Sequence, residues 1–219
     1  MTISPDLAAE QQRVLEIMER LKPLYKDSPC PLKYETPVQL LLAVIMAAQC
    51  TDDRVNQVTA ELFRHFPDAA AIAQADPAEI ETILRPLSLF RNKTKHVQAT
   101  CRILVEKFGA QVPQDINELL KLPGVARKTA TMTLHYAYGI DVGVTVDTHV
   151  KRLSDRLGFT QQTDLDKIEK DLMKLLPQSE WGNCFVYLTY HGREVCRAKN
   201  PTCHACGVAD LCSSADKLA

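Results

Sequence analysis

Four cysteines near the end of the chain, Cys196, Cys203, Cys206 and Cys212, follow the spacing C-x6-C-x2-C-x5-C. Thiolates gathered within 17 residues can close around one metal centre with little loop entropy opposing them. A tetrahedron of thiolates suits zinc. A cubic iron–sulfur cluster takes four cysteines as well, and the spacing does not decide between the two. The segment from Arg197 to Thr202 is pinned at both ends by candidate ligands, and its Arg197 and Lys199 are suited to gripping phosphate. The other cysteines, Cys30, Cys50, Cys101 and Cys184, are scattered. The last three fall in apolar helical patterns and read as small core residues. No secretory leader pattern opens the chain, so a cytoplasmic setting is expected and a disulfide framework is not.

A second group with chemical potential is Leu122–Pro123–Gly124–Val125–Ala126–Arg127–Lys128, between two helical patterns. A Pro–Gly turn that opens a helix leaves unpaired N–H groups at its mouth, which makes an anion site. Lys128 then lies in the first turn of that helix. A lysine amine can act as a nucleophile toward an electrophilic carbon once it is neutral. Nineteen residues on, Val146–Asp147–Thr148–His149 sets a carboxylate at a helix N-cap position. On their own, Pro–Gly is also an ordinary turn, Asp147 an ordinary cap and Lys128 an ordinary surface cation.

The elements that must position these groups are helical almost throughout. Apolar residues recur with the 3.6-residue period, as in Val14, Ile17, Met18 and Leu21, a stripe expected to close at Pro23. Thr36–Pro37 and Asp76–Pro77 pair an N-cap with a first-turn proline. Further helices are expected through Val55 to Phe66, Val97 to Phe108 (ended by Gly109), about Arg127 to Tyr138 (ended by Gly139), Val150 to Leu157, Leu165 to Leu175 and Phe185 to Leu188. The expectation is an all-α protein of about ten short helices, with a seam where periodicity lapses near Gly139–Gly143.

Composition restricts the partners less than the motifs do. The longest apolar run, Leu40 to Ala48, is far shorter than the roughly 20 residues a membrane span needs. A net charge of −1 is unusual for a nucleic-acid binder. Affinity depends on where the cations sit, however, because only those that meet phosphate release counterions. They gather at Arg85 to Lys107, Lys121 to Lys128, Lys151 to Arg156 and Arg193 to Lys199. Such groups are commonly solvated helix faces, so charge alone permits DNA binding without establishing it.

Taken together, the motifs resemble the endonuclease III family of helix–hairpin–helix DNA glycosylases. The matching stretches are Ala47–Ala48–Gln49–Cys50–Thr51–Asp52, Leu89–Phe90–Arg91–Asn92–Lys93, the hairpin Leu122 to Ala130, Val146 to His149, His191–Gly192–Arg193 and the four cysteines. They extend over about residue 10 to Cys212. The resemblance implies a 4Fe–4S cluster on Cys196, Cys203, Cys206 and Cys212. It implies a six-helix barrel over residues 31–139, an iron–sulfur cluster domain from 1–30 and 140–219, and a DNA-binding cleft between them. It implies a monomeric bacterial enzyme of the cytoplasm and nucleoid that acts on damaged double-stranded DNA. Such an enzyme removes oxidised pyrimidines and cleaves 3′ to the abasic site by β-elimination. Lys128 would be the nucleophile and Asp147 its catalytic partner. Gln49 would fill the gap left by a flipped nucleotide, with Leu89 as the wedge beside it. Gly124, Val125 and Ala126 would hold a phosphate, and Arg193, Arg197 and Lys199 would touch the DNA backbone.

Some residues depart from the family pattern. Ala126 replaces the second hairpin glycine, Ser88 stands where glycine is common before the wedge, and Ala47 and Leu120 are apolar where some relatives are polar. Two rival readings are an adenine mismatch glycosylase of the same superfamily and a non-catalytic DNA-damage-binding protein. The first needs a glutamate where this chain has Ala43 and lacks the lysine at Lys128. The second gives no reason to keep both Lys128 and Asp147. A zinc-containing DNA-binding module is a third, which a yellow-brown protein would exclude.

Overall fold

The structure is a computed structural model that describes residues 5–215. Among these residues there are eleven α-helices and no strand, and no helix is long and apolar enough to cross a membrane. The chain divides into two compact units: Cys30–Ile140 is one, and Met1–Pro29 with Asp141–Ala219 is the other.

The Cys30–Ile140 unit is built on α2 (Pro37–Met46). Every residue of α2 from Leu40 to Met46 is buried, so it is a core helix rather than an amphipathic one. Around it lie α3 (Asp52–His65), α4 (Ala69–Gln74), α5 (Pro77–Leu84), α6 (Phe90–Phe108), the single turn α7 (Ile116–Leu119) and α8 (Arg127–Tyr138). α6 packs on α4, α5 and α2, while α8 packs on α2 and α7. The ends follow local chemistry. Thr36, Thr51, Asp68, Asp76 and Asp115 each accept a backbone N–H at an N-cap, a bond that stabilises a helix by about 1 kcal/mol. Gly109 and Gly139 close α6 and α8 in the left-handed region, as a glycine C-cap does.

In the other unit, α1 (Pro5–Tyr25) and α9 (Thr148–Arg156) pack on α11 (Trp181–Glu194), and α10 (Leu165–Leu175) packs on α1 and α9. The last segment is short 3-10 turns at Cys203–Ala205 and Ala209–Leu211.

Three sequence expectations are corrected. α1 does not stop at Pro23 but runs to Tyr25, because Leu21 and Tyr25 are both buried and hold the final turn against the core. α4 is an additional helix, six residues long and apolar almost throughout, too short and too uniform to show a period; its core residues are Ala69 and Ile72. Cys101 and Cys184 are fully buried, but Cys50 is not a core residue. It follows the C-cap of α2, where the backbone has left the core.

Candidate active site

The hairpin is set by packing beneath it. Leu122 and Val125 are buried, and Thr100 of α6 donates its hydroxyl to the Pro123 carbonyl at 2.9 Å. Gly124 has φ +77°, and a Cβ at that position would stand 2.9 Å from the His96 side chain. Two separate constraints therefore require glycine there. Ala126, the departure from the family pattern, is the N-cap of α8 with φ −89° and ψ 172°, an extended backbone that alanine adopts without strain. It offers no side-chain cap to the first turn of α8, and a helix N-terminus is a place where backbone N–H groups can meet an external acceptor. Lys128 is the second residue of α8 and is exposed.

Two further corners stand in the same unit. Gln49 has φ 56° and Leu89 has φ 55°; with Ala110 and Asn200 they are the left-handed non-glycine residues of the described chain. Both side chains are exposed, Leu89 by 57%. Lys93, grouped by sequence with solvated cations, is instead 4% exposed. Its ammonium donates to the Ala48 carbonyl at 2.7 Å and to Cys50 Sγ at 3.1 Å. Ser88 donates its hydroxyl to the Gln49 carbonyl at 2.9 Å and lies 3.3 Å from Cys50 Sγ. Burial pushes the Cys50 thiol up, but the hydrogen bonds from Ser88 and Lys93 outweigh it and hold the thiol below its ordinary value. Of the other departures, Ala47 is the half-buried C-cap of α2, and Leu120 is 40% exposed after α7.

Asp147 caps α9. Its Oδ1 accepts from His149 N and Val150 N, each at 2.8 Å, while Oδ2 receives a longer 3.4 Å bond from Thr189 Oγ1. One oxygen is thus committed to structure and the other is weakly engaged. Gly192, inside α11, admits α9 closely: a Cβ there would stand 3.0 Å from both His149 Nδ1 and Arg152 Nη2.

The four C-terminal cysteines line one pocket together with Leu153, Leu157, His191, Val195 and other mainly apolar residues. Among the described residues, no group of three or more His, Cys, Asp or Glu side chains converges closely enough to hold a single metal ion. The thiols surround a pocket rather than a point. Two arginines of α9, read from sequence as part of a surface cluster, turn toward this segment. Arg152 donates to the Gly192 and Cys196 carbonyls at 2.8 and 3.0 Å. Arg156 reaches Cys196 Sγ at 3.4 Å and the carbonyls of Arg197 and Ala198 at 2.7 and 3.2 Å. With its carbonyls held from behind, the segment presents Arg197 and Lys199 as exposed side chains. Arg193 is exposed near the end of α11 and lies over the Tyr190 ring. His191 is buried between Tyr25, 3.2 Å from Nδ1, and Cys206, 3.4 Å from Nε2, and burial lowers it to about 4.

Residues 42–178 match the HhH-GPD superfamily of base excision DNA repair proteins. The chain belongs to that superfamily and, within it, to the endonuclease III family. It is 55% identical over 209 residues to endonuclease III of Synechocystis, covering 95% of both chains, and 35% identical over 204 residues to that of Escherichia coli K12, covering 93% of this chain and 96% of the relative. A trapped endonuclease III–DNA covalent intermediate superposes with a TM-score of 0.86 at 37% identity, over 93% of this chain and 95% of the other. A thermostable thymine-DNA glycosylase, 19% identical with a TM-score of 0.81 over 96% of this chain and 99% of the other, shares the fold.

Proposed function

We propose that this protein is a bifunctional DNA glycosylase and abasic-site lyase that removes oxidised pyrimidines from double-stranded DNA in a bacterial cytoplasm. The observation that carries the reading is the N-terminus of α8 behind Gly124, which has no N-cap side-chain bond, with Lys128 exposed in its first turn. The hairpin N–H groups of Gly124 and Ala126 hold a backbone phosphate, the Val125 N–H being given to the Leu122 carbonyl at 3.1 Å, and Arg193, Arg197 and Lys199 add charge-assisted contacts. Gln49 occupies the gap left when the damaged nucleotide leaves the stack, with Leu89 as the wedge, since C1′ is out of reach inside a duplex. The Lys128 amine attacks C1′ and the base departs with its bonding electrons and a proton; the C1′–O4′ bond then breaks, O4′ takes a proton, and a Schiff base remains on the opened sugar. Loss of a proton from C2′ then expels the 3′ phosphate. Asp147 stabilises the positive charge that develops on the sugar and assists proton transfer.

The test is borohydride trapping on a duplex carrying one oxidised pyrimidine. A covalent protein–DNA adduct is expected. Base release without an adduct would make the protein a monofunctional glycosylase, and binding without either product would make it a damage-binding protein.

Gly124→Ala checks the hairpin. The required left-handed φ and the 2.9 Å approach to His96 both oppose the methyl group, so the turn must shift. DNA affinity measured by fluorescence anisotropy is expected to fall about tenfold or more, the loss of one charge-assisted phosphate contact. Unchanged affinity would remove the hairpin from the DNA interface.

The cysteine pocket fits a 4Fe–4S cluster held by Cys196, Cys203, Cys206 and Cys212. Its four thiols line one mainly apolar pocket, and the cations beside Cys196 suit an anionic group. Arg152 and Arg156 donate to no carboxylate among the described residues, and Arg152 Nε is buried without a hydrogen-bond partner. When bound, the cluster supplies cross-links between distant parts of the terminal segment. Arg156 and Arg152 hold the loop, and His191 faces Cys206. Protein purified anaerobically should contain iron and sulfide in equal amounts. Cys206→Ser is expected to lower both and to loosen the terminal segment to proteolysis; zinc without sulfide would refute the assignment.

A further inference from the structure

Gln49, Leu89 and Lys128 are exposed, whereas Lys93 reaches inward. A buried ammonium is unfavourable unless its donors are met. Here they are met by the Ala48 carbonyl and Cys50 Sγ, the residues on either side of Gln49. Lys93 also stands on the first turn of α6, four residues after Leu89, and its backbone N–H returns to the Leu89 carbonyl at 3.1 Å. One residue therefore holds both corners, Gln49 through its side chain and Leu89 through its backbone. Ser88 adds a second tie across the same gap, from the residue before Leu89 to the Gln49 carbonyl.

Both corners need holding. Gln49 and Leu89 each adopt a left-handed backbone that non-glycine residues disfavour and keep only where the surroundings enforce it. Neither side chain is locked by burial, since both are exposed. The corners also come from chain segments forty residues apart, so no local sequence signal fixes one relative to the other. Cys50 completes the clamp by receiving Lys93 on one side and lying beside Ser88 on the other.

We infer that Lys93, with Ser88 and Cys50, is a positioning residue that fixes Gln49 and Leu89 as one rigid two-pronged unit, so that the duplex gap is filled as the damaged nucleotide leaves. The inference rests on the proposed DNA-repair reading. Its signature is selective. Prongs that fill a gap matter most when a stacked, paired base must be extracted, and least when no base remains to be extracted.

The experiment compares Lys93→Met with wild type under single turnover on two duplexes. One carries an oxidised pyrimidine opposite its normal partner; the other carries a preformed abasic site opposite a missing base, read by borohydride trapping. Base release from the first is expected to fall about a hundredfold, the effect of an ångström-scale misplacement. Trapping on the second should stay within about threefold of wild type, since Lys128 lies on α8 outside the clamp. Equal losses on both duplexes would mean that Lys93 only supports the fold, and no loss on either would mean that the prongs need no clamp. Should Lys93→Met not fold, Ser88→Ala removes the exposed ties to Gln49 and Cys50 while leaving Lys93 in place, and the same ratio, smaller but in the same direction, decides. Failure of wild type to trap on either duplex would instead overturn the lyase reading.

Discussion

Lys128→Ala is expected to abolish covalent trapping and strand cleavage while leaving recognition of the damaged duplex intact. Lys128 is exposed at the second position of α8, so truncating it removes no core contact. Alanine has the highest helix propensity, and the helix itself should be at least as stable. Thermal unfolding should therefore be unchanged within experimental scatter. Activity should not be: removing a nucleophile commonly lowers turnover by at least about a thousandfold. The phosphate-holding N–H groups belong to the backbone and survive the substitution. Binding to the oxidised duplex should thus fall by no more than one surface cation accounts for. Residual trapping at the wild-type rate would show that another amine forms the Schiff base, and the assignment of Lys128 would be lost.

The second large effect is expected at Asp147, where a cap and a catalytic charge coincide. Oδ1 accepts both N-cap hydrogen bonds of α9, and an asparagine carbonyl oxygen caps a helix as well as an aspartate does. Asp147→Asn should therefore fold with wild-type stability while losing the negative charge shared with Oδ2. Base release is expected to slow by about 10²–10⁴-fold, the range of a general acid–base or electrostatic group. Asp147→Ala would lose the cap in addition, lowering stability by about 1 kcal/mol. The comparison of Asn with Ala separates the two roles. Near-normal turnover in the Asn variant would leave Asp147 as a cap alone.

The fold class is legible in the sequence because helical periodicity and end signals are local. Thr36–Pro37, Asp76–Pro77, Gly109 and Gly139 announce helix ends through hydrogen bonds and backbone angles reached within a few residues, and the structure has helix ends at those positions. The N-cap position of Asp147 and the first-turn position of Lys128 are readable for the same reason. What the sequence hides depends on contacts between distant segments. Lys93 and Arg156 look like surface cations because charge is visible and burial is not. Their partners, the carbonyls of Ala48 and of Arg197, lie 45 and 41 residues away. Cys50 sits beside an apolar helix in sequence, yet α2 ends at Met46 and leaves it in the turn. Pro23 reads as a terminator because proline lacks an N–H, but buried side chains around it outweigh that single missing bond.

One helix bears both the carboxylate and the cysteine loop. α9 starts at the Asp147 cap and ends at Arg156, so a rigid rod of about 13 Å joins the two. A random-mutagenesis screen for lost excision would consequently return hits at Arg152 and Arg156. Those hits would invite interpretation as an extended catalytic surface. They would instead map a mechanical mounting, in which the loop is the bracket and Asp147 the part being aimed.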